Sequence, residues 1–289
     1  MTGCLLHISE SLSFLPLLAF IMKTLLLIRL CIVLGWSMDL SEDSVSAPKL
    51  QAALRHWEIP SECALDGVDF WQIGHYGPIC KGKLKRKDGS SQPVVIKSLR
   101  DGPDKPEAQE FVELVAFHSR VCRHDNLVRV LFCQTARLPM FLVLDQCCPG
   151  NLLHFLWSLR NNNLTPADPS KDFSERSVFM VAKQVAAGLD YLSSEHTLVH
   201  GDVAARNILI GPGLSARVSG LGGAFRAWRA ESALTRAAQV PLKWQAPEKI
   251  MMQLNIDRSD VWSFGILLYE MITLGKTMSE LNSWSQWLL

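Results

Sequence analysis

The chain has 289 residues, 48% of them hydrophobic, with 29 basic side chains against 28 acidic ones. That length allows one large or two small domains with a sizeable core, and the near-zero net charge offers no field that would recruit nucleic acid. Eight cysteines without a C-x-x-C spacing argue against a zinc site or disulfide framework and for a reducing compartment, and no internal repeat suggests a solenoid.

Residues 12–38 are mostly apolar, interrupted by Lys23 and Arg29. Three readings stay open: a single-pass membrane anchor, a signal-like element beginning at Met22-Lys23, or a stretch with no structural role. Residues 39–56 read as a linker, and Trp57-Glu58-Ile59-Pro60 precedes the first strand.

Trp71 to Lys85 reads as strand, turn, strand, with Gly74, Gly77 and Gly82 where the chain must bend or approach a ligand. Pro93-Val94-Val95-Ile96-Lys97 is a β-rich run ending in a lysine. Helical spacing from Ala108 to Val121 puts Phe111, Leu114, Phe117 and Val121 on one side. Phe141 to Asp145 reads as a buried strand, and 146–150 as the connection from it to the next helix. Leu152 to Leu159 and the periodic run Val178, Val181, Val185, Leu189, Leu192 read as helices, separated by a polar loop over 161–172.

The richest stretch is His200-Gly201-Asp202-Val203-Ala204-Ala205-Arg206-Asn207, with a carboxylate, a guanidinium and a carboxamide within eight residues between apolar runs. An Asp and an Asn five residues apart on such a loop can hold a substrate hydroxyl and a metal ion on one wall of a cleft. Ile208-Leu209-Ile210 and Ala216-Arg217-Val218 follow as two small strands. Val240-Pro241-Leu242-Lys243-Trp244-Gln245-Ala246-Pro247-Glu248 and Ser259-Asp260-Val261-Trp262-Ser263-Phe264-Gly265 complete the ordered series, the last opening a central apolar helix.

These segments, over roughly 57–275, resemble the protein kinases, and Ala204-Ala205-Arg206 is the tyrosine-kinase form of the loop. The resemblance implies an α+β, two-lobed fold: a β-rich small lobe over 57–145, a hinge at 146–150 and a large lobe over 151–289. It implies Asp202, Arg206 and Asn207 as catalytic residues. Gly74, Gly77, Ile79, Lys97, Glu113, Asp145 and Leu209 would surround ATP, with Glu113, or alternatively Glu110, as the partner of Lys97. Leu144 would narrow access behind the adenine, and Asp260 would accept backbone donors from the catalytic loop.

Five departures qualify that picture. Gln72 stands at the first glycine of the phosphate-covering loop, and Val95 adds bulk where the adenine should slide in. Gly201 stands where kinases commonly carry an arginine that grips a phosphorylated loop, and residues 220–248 contain no tyrosine, leaving Ser232 and Thr235 as the hydroxyl side chains there. The weightiest is Gly220-Leu221-Gly222 in place of Asp-Phe-Gly, because the missing Asp is the Mg²⁺ ligand and Asn207 alone is a poor site for a hard cation. The expectation is weak or absent phosphotransfer, doubtful Mg²⁺, ATP binding open, and a signalling role through protein partners. The resemblance also implies a membrane-tethered, cytosol-facing domain, with a purely cytoplasmic protein as the alternative. Because the sequence stops about 14 residues beyond Gly275, exposed apolar surface is expected that promotes chaperone binding, self-association or sequestration of partners, unless Trp284 and Trp287 fold back over it.

Overall fold

The computed structural model describes residues 47–161, 173–229, 242–252 and 259–276, all within a unit that runs Asp43–Leu289. The apolar stretch 12–38, the loop hydroxyls Ser232 and Thr235, and Trp284 and Trp287 lie outside these residues. Among the described residues no helix is long and apolar enough to cross a membrane.

The small lobe is a five-stranded antiparallel sheet in the order β1-β2-β3-β5-β4. Its strands are β1 (Ala64–Ile73), β2 (Pro78–Lys85), β3 (Ser91–Ser98), β4 (Val130–Gln134) and β5 (Phe141–Asp145). Alternation sorts β3 by face: Val94 and Ile96 join Leu84 and Val143 in a buried cluster, so Val95 and Lys97 project from the opposite face. Helix α1 (Ala47–Leu54) lies in the stretch expected to be linker. Its Leu54 is buried, and this apolar anchor makes the segment part of the fold. After α1, Glu58 accepts hydrogen bonds from the Thr135 amide at 2.8 Å and its hydroxyl at 2.6 Å, tying the Trp57-Glu58-Ile59-Pro60 segment beside β4.

Helix α2 (Lys105–Val121) crosses between β3 and β4. It begins three residues before the apolar spacing suggests, because Asp104 and Glu107 form a reciprocal capping box. Phe111, Val115 and Phe117 on it are fully buried.

The large lobe contains α3 (Leu152–Arg160), α4 (Glu175–His196), α5 (Gly222–Arg229), α6 (Pro247–Met252) and α7 (Ser259–Ile272). A three-stranded sheet joins the short β6 (Gly150–Asn151) to β7 (Ile208–Ile210) and β8 (Ala216–Val218). This α+β, two-lobed arrangement is the expected fold class. Helix α5 has no counterpart in the sequence reading, which took the residues after Gly220 for a loop. Near α7, Leu242, Met251 and Trp262 are large apolar side chains left exposed.

Candidate functional site: a catalytic loop beside a carboxylate-poor cleft

The floor of the site is the segment His200–Asn207, fixed by two carboxylates of α7. Asp260 accepts the amides of His200 at 2.6 Å and Gly201 at 2.8 Å, the contact expected of it. Ten residues along, buried Glu270 accepts the Ala205 amide at 2.8 Å and the Trp244 indole N–H at 3.1 Å. Burial raises the Glu270 carboxyl above its ordinary range. Lys249 of α6 reaches beneath the loop and donates to the Gly201 carbonyl at 3.1 Å. Sequence reasoning missed both Glu270 and Lys249, and a carboxylate in the midst of an apolar helix was the available signal for the first.

On this floor the three candidate catalytic side chains meet one another. Arg206 forms an ion pair with Asp202 Oδ1, and its guanidinium lies 4.6 Å from the centre of the Trp244 ring. Asn207 Nδ2 donates to Asp202 Oδ2 and to the Asp202 carbonyl, both at 2.7 Å. Each carboxylate oxygen of Asp202 therefore already has a donor.

Gly220 sits beside that amide. Its backbone has φ of +76°, a conformation that side-chain-bearing residues rarely adopt, and a Cβ there would stand 2.4 Å from both Cγ and Oδ1 of Asn207. Asn207 thus occupies the space a side chain at 220 would need. Among the described residues no group of three or more His, Cys, Asp or Glu side chains is placed to hold a metal ion. Magnesium prefers octahedral, largely anionic oxygen coordination, and beside Gly220 the chain offers the neutral Oδ1 of Asn207, whose Nδ2 holds it against Asp202. Gly220 adds no anionic ligand to that oxygen.

The roof is the turn between β1 and β2. Gly74 donates to the Gly77 carbonyl at 2.8 Å. Gly77, at φ +150°, packs so closely on the strand end after Lys97 that a Cβ would meet Arg100 N at 2.6 Å and Ser98 O at 2.8 Å. Tyr76 donates its hydroxyl to Glu110 at 2.7 Å, and burial together with that carboxylate raises its phenol. Ile79 pairs with Lys97 and Val95 with Leu144 across the sheet. These four side chains therefore share one face, which is where the adenine-side residues were expected. Leu209, between buried Ile208 and Ile210 on β7, is half-buried.

Two expectations are corrected here. Glu113 does not pair with Lys97: Arg229 of α5 takes its carboxylate at 2.8 Å, and Glu110 is held by the same guanidinium at 2.8 Å. The reason is helical phase. The α2 side chains that influence Lys97 are His118 and Cys122, and one turn earlier on that face stands Leu114, about 100° around the helix from Glu113. Desolvation lowers the Lys97 ammonium, while burial, aided by Lys97, pulls His118 down to about 4. Asp145 is the second. Its side chain faces β8, accepting from Arg217 at 2.7 Å and from Gln92 at 3.2 Å, so it ties the hinge to the large lobe.

The contact that displaces Glu113 is built on aromatic packing. Phe225 and Trp228 of α5 set their rings 5.5 Å and 5.6 Å from Phe117 of α2. Arg229 supplies its ionic half by taking both members of the Glu110/Glu113 pair, spaced i, i+3 on α2.

A family model described as protein tyrosine and serine/threonine kinase matches residues 71–286. The chain belongs to that family, in its tyrosine-kinase group. This kinase-family chain is 38% identical over 224 residues to human "Tyrosine-protein kinase STYK1", covering 77% of this chain and 53% of the relative. It is 37% identical over 244 residues to the mouse protein of the same name, covering 82% and 56%. Against "Fibroblast growth factor receptor homolog 1" of Drosophila melanogaster the identity is 26% over 231 residues, covering 76% and 31%. The kinase-family chain thus spans about half the length of the first two relatives.

Proposed function

We propose that this tyrosine-kinase-family domain has weak or absent phosphotransfer and acts in signalling as a non-catalytic scaffold. The observation that carries the reading is Gly220, whose side-chain space is occupied by Asn207. Phosphoryl transfer rests on positioning and on neutralising the charge of the transferred group. Losing one stabilising donor from an active site costs about 3 to 4 kcal/mol, two to three orders of magnitude in rate, and losing a metal ligand costs at least that.

Asp202 adds to this. As the base it would accept the proton of a substrate hydroxyl, and each of its oxygens already accepts one hydrogen bond, from Arg206 or Asn207, which lowers its basicity. A protein-binding role is supported by the exposed apolar side chains Leu242, Met251 and Trp262. The partners are signalling proteins, and the stretch 12–38 tethers the domain at a membrane.

The test is radiolabelled phosphate incorporation by the purified chain, with Asp202→Asn as control. The expected label is the same for both. Incorporation at an ordinary kinase rate that Asp202→Asn abolishes would overturn the reading.

A further inference from the structure

At the outer edge of the small lobe, β1 leaves large apolar side chains in solvent. Phe70 and Ile73 are 64% and 74% exposed, and Val68 and Trp71 are exposed with them. Single exposed apolar residues are ordinary, but a run of them within one strand makes a patch, and such a patch marks a contact. β1 comes first in the sheet order, so one of its edges has no strand beside it among the described residues. A further strand would pair there only along a regular edge, and β1 breaks its register twice, between Asp66 and Asp69 and between Phe70 and Gln72. Such bulges twist an edge and interrupt the row of amides and carbonyls that a partner strand needs. The irregular edge disfavours a peptide strand or a second copy of β1 and suits a partner without a backbone.

The next strand supplies charge. Lys81-Gly82-Lys83-Leu84-Lys85-Arg86-Lys87 holds five cations in seven residues, over β2 and the turn after it. Across 64–91 these five meet three carboxylates, an excess of two in a chain whose whole excess is one. Alternation puts Lys81, Lys83 and Lys85 on one face of β2, while Leu84 enters the core. The carboxylates neutralise part of the run: Asp66 pairs with Lys85 at 2.6 Å, Asp69 lies across from Lys81, and Asp88 accepts the Ser90 amide at 2.8 Å. Exposed Lys83 and Lys87 have no salt bridge among the described residues. Lys81 sits 4.1 Å from the centre of the Trp71 ring, which joins the cationic strand to the apolar edge. Val68 and Phe70 emerge on the face of Gly82 and Cys80 and Trp71 beside Lys81, so a partner meeting the edge touches apolar and cationic groups together.

We propose that the β1 edge and the Lys81–Lys87 run dock the small lobe on an anionic phospholipid surface. Aromatic and branched apolar side chains enter the headgroup boundary, while the lysine stems lie along it and leave their ammonium groups among the phosphates. Each lysine near such a surface strengthens binding about fivefold. The inference deepens the functional reading above and rests on its membrane tether: residues 12–38 bring the chain to the bilayer, and the small lobe is the part of the domain that follows them in the chain. This second contact fixes how the domain faces the membrane. It leaves Leu242, Met251 and Trp262 of the large lobe for protein partners.

The experiment follows hydrogen exchange of the full chain with vesicles of phosphatidylcholine alone or of phosphatidylcholine mixed with phosphatidylserine. The β1 amides slow with the mixed vesicles and not with phosphatidylcholine alone, even where 12–38 holds the chain to both. Lys83→Ala with Lys87→Ala lowers that protection about 30-fold, one fivefold step for each charge, and Lys83→Arg with Lys87→Arg keeps it. Phe70→Ser lowers it as well. All three side chains are exposed, and an unchanged melting temperature shows that each variant is folded. Equal slowing of β1 by both vesicles overturns the proposal, as does no slowing with the mixed ones. Equal slowing by a DNA duplex overturns it too, and assigns the patch to nucleic acid. A failed tether shows instead as loss of association with phosphatidylcholine vesicles while β1 still slows with the mixed ones, and phosphate transfer in the label assay bears on neither, so the failures are distinguishable.

Discussion

The two walls of the cleft differ in what holds them. The floor, His200–Asn207, is clamped from below by Asp260 and Glu270 of one helix and filled from within by Arg206 and Asn207. The opposite wall, formed by α2, the glycine turn and α5, is joined by side chains that a kinase would use otherwise: Glu110 and Glu113 hold Arg229, and Tyr76 holds Glu110. The floor is held by backbone amides on two carboxylates, and Asp202, Arg206 and Asn207 upon it bond to one another. The difference teaches that the two walls are held by different chemistry, backbone amides on carboxylates in one and side-chain ion pairs in the other.

Mutation of the aromatic contact has the largest effect. Phe117 is fully buried and meets Phe225 and Trp228, so Phe117→Ala costs about 4 kcal/mol in urea unfolding. It also exposes the α5 amides to hydrogen exchange ahead of the floor. Equal acceleration of both walls would show that they are one cooperative unit.

Next comes the clamp below. Asp260→Ala leaves the His200 and Gly201 amides without their acceptor, and costs about 3 kcal/mol, read from the same unfolding curves. Its exchange signature is the reverse, with the floor opening first.

Arg229→Ala is smaller, about 1 kcal/mol, because its ion pairs are partly exposed and screened. It frees Glu113, yet Lys97 gains no partner, since the helix faces that strand with Leu114. A Lys97 that becomes resistant to amine-directed labelling in this variant would contradict the phase argument.

Glu270 sets the smallest, pH-dependent effect. Its carboxyl is raised in the native state above the ordinary 4.5 by burial, so protonation favours the fold. That stabilisation is fully present below the unfolded value and is lost as pH rises through the higher native value. Stability of the natural chain minus that of Glu270→Gln should therefore fall over that window; a flat difference would place Glu270 in solvent-like surroundings.

Much of the frame was legible because it depends on apolar period and local chemistry. β5, β7 and β8 coincide with their apolar runs, and the kinase resemblance, rather than its place at a helix start, marked Asp260 as the acceptor of the loop amides. β4 and α1 were missed: Val130–Gln134 has no turn residue to set it off, and at Ala47–Leu54 the start signal of Ser46 and Pro48 was read as linker composition. At the site, Asp202, Arg206 and Asn207 were identifiable together because they are close in sequence. Glu113 and Asp145 were not, because their partners Arg229 and Arg217 are distant in sequence and reach them only through the fold. The phase of α2 decides the first case, and a single residue of offset separates a glutamate facing Lys97 from one facing α5.

The most direct test of the central claim is a crystal structure grown with an ATP analogue and Mn²⁺, read for anomalous signal between Asn207 and residue 220. The account predicts no manganese there, with Asn207 still donating to Asp202. A manganese peak bound by Asn207 together with an acidic side chain drawn in from elsewhere would contradict it.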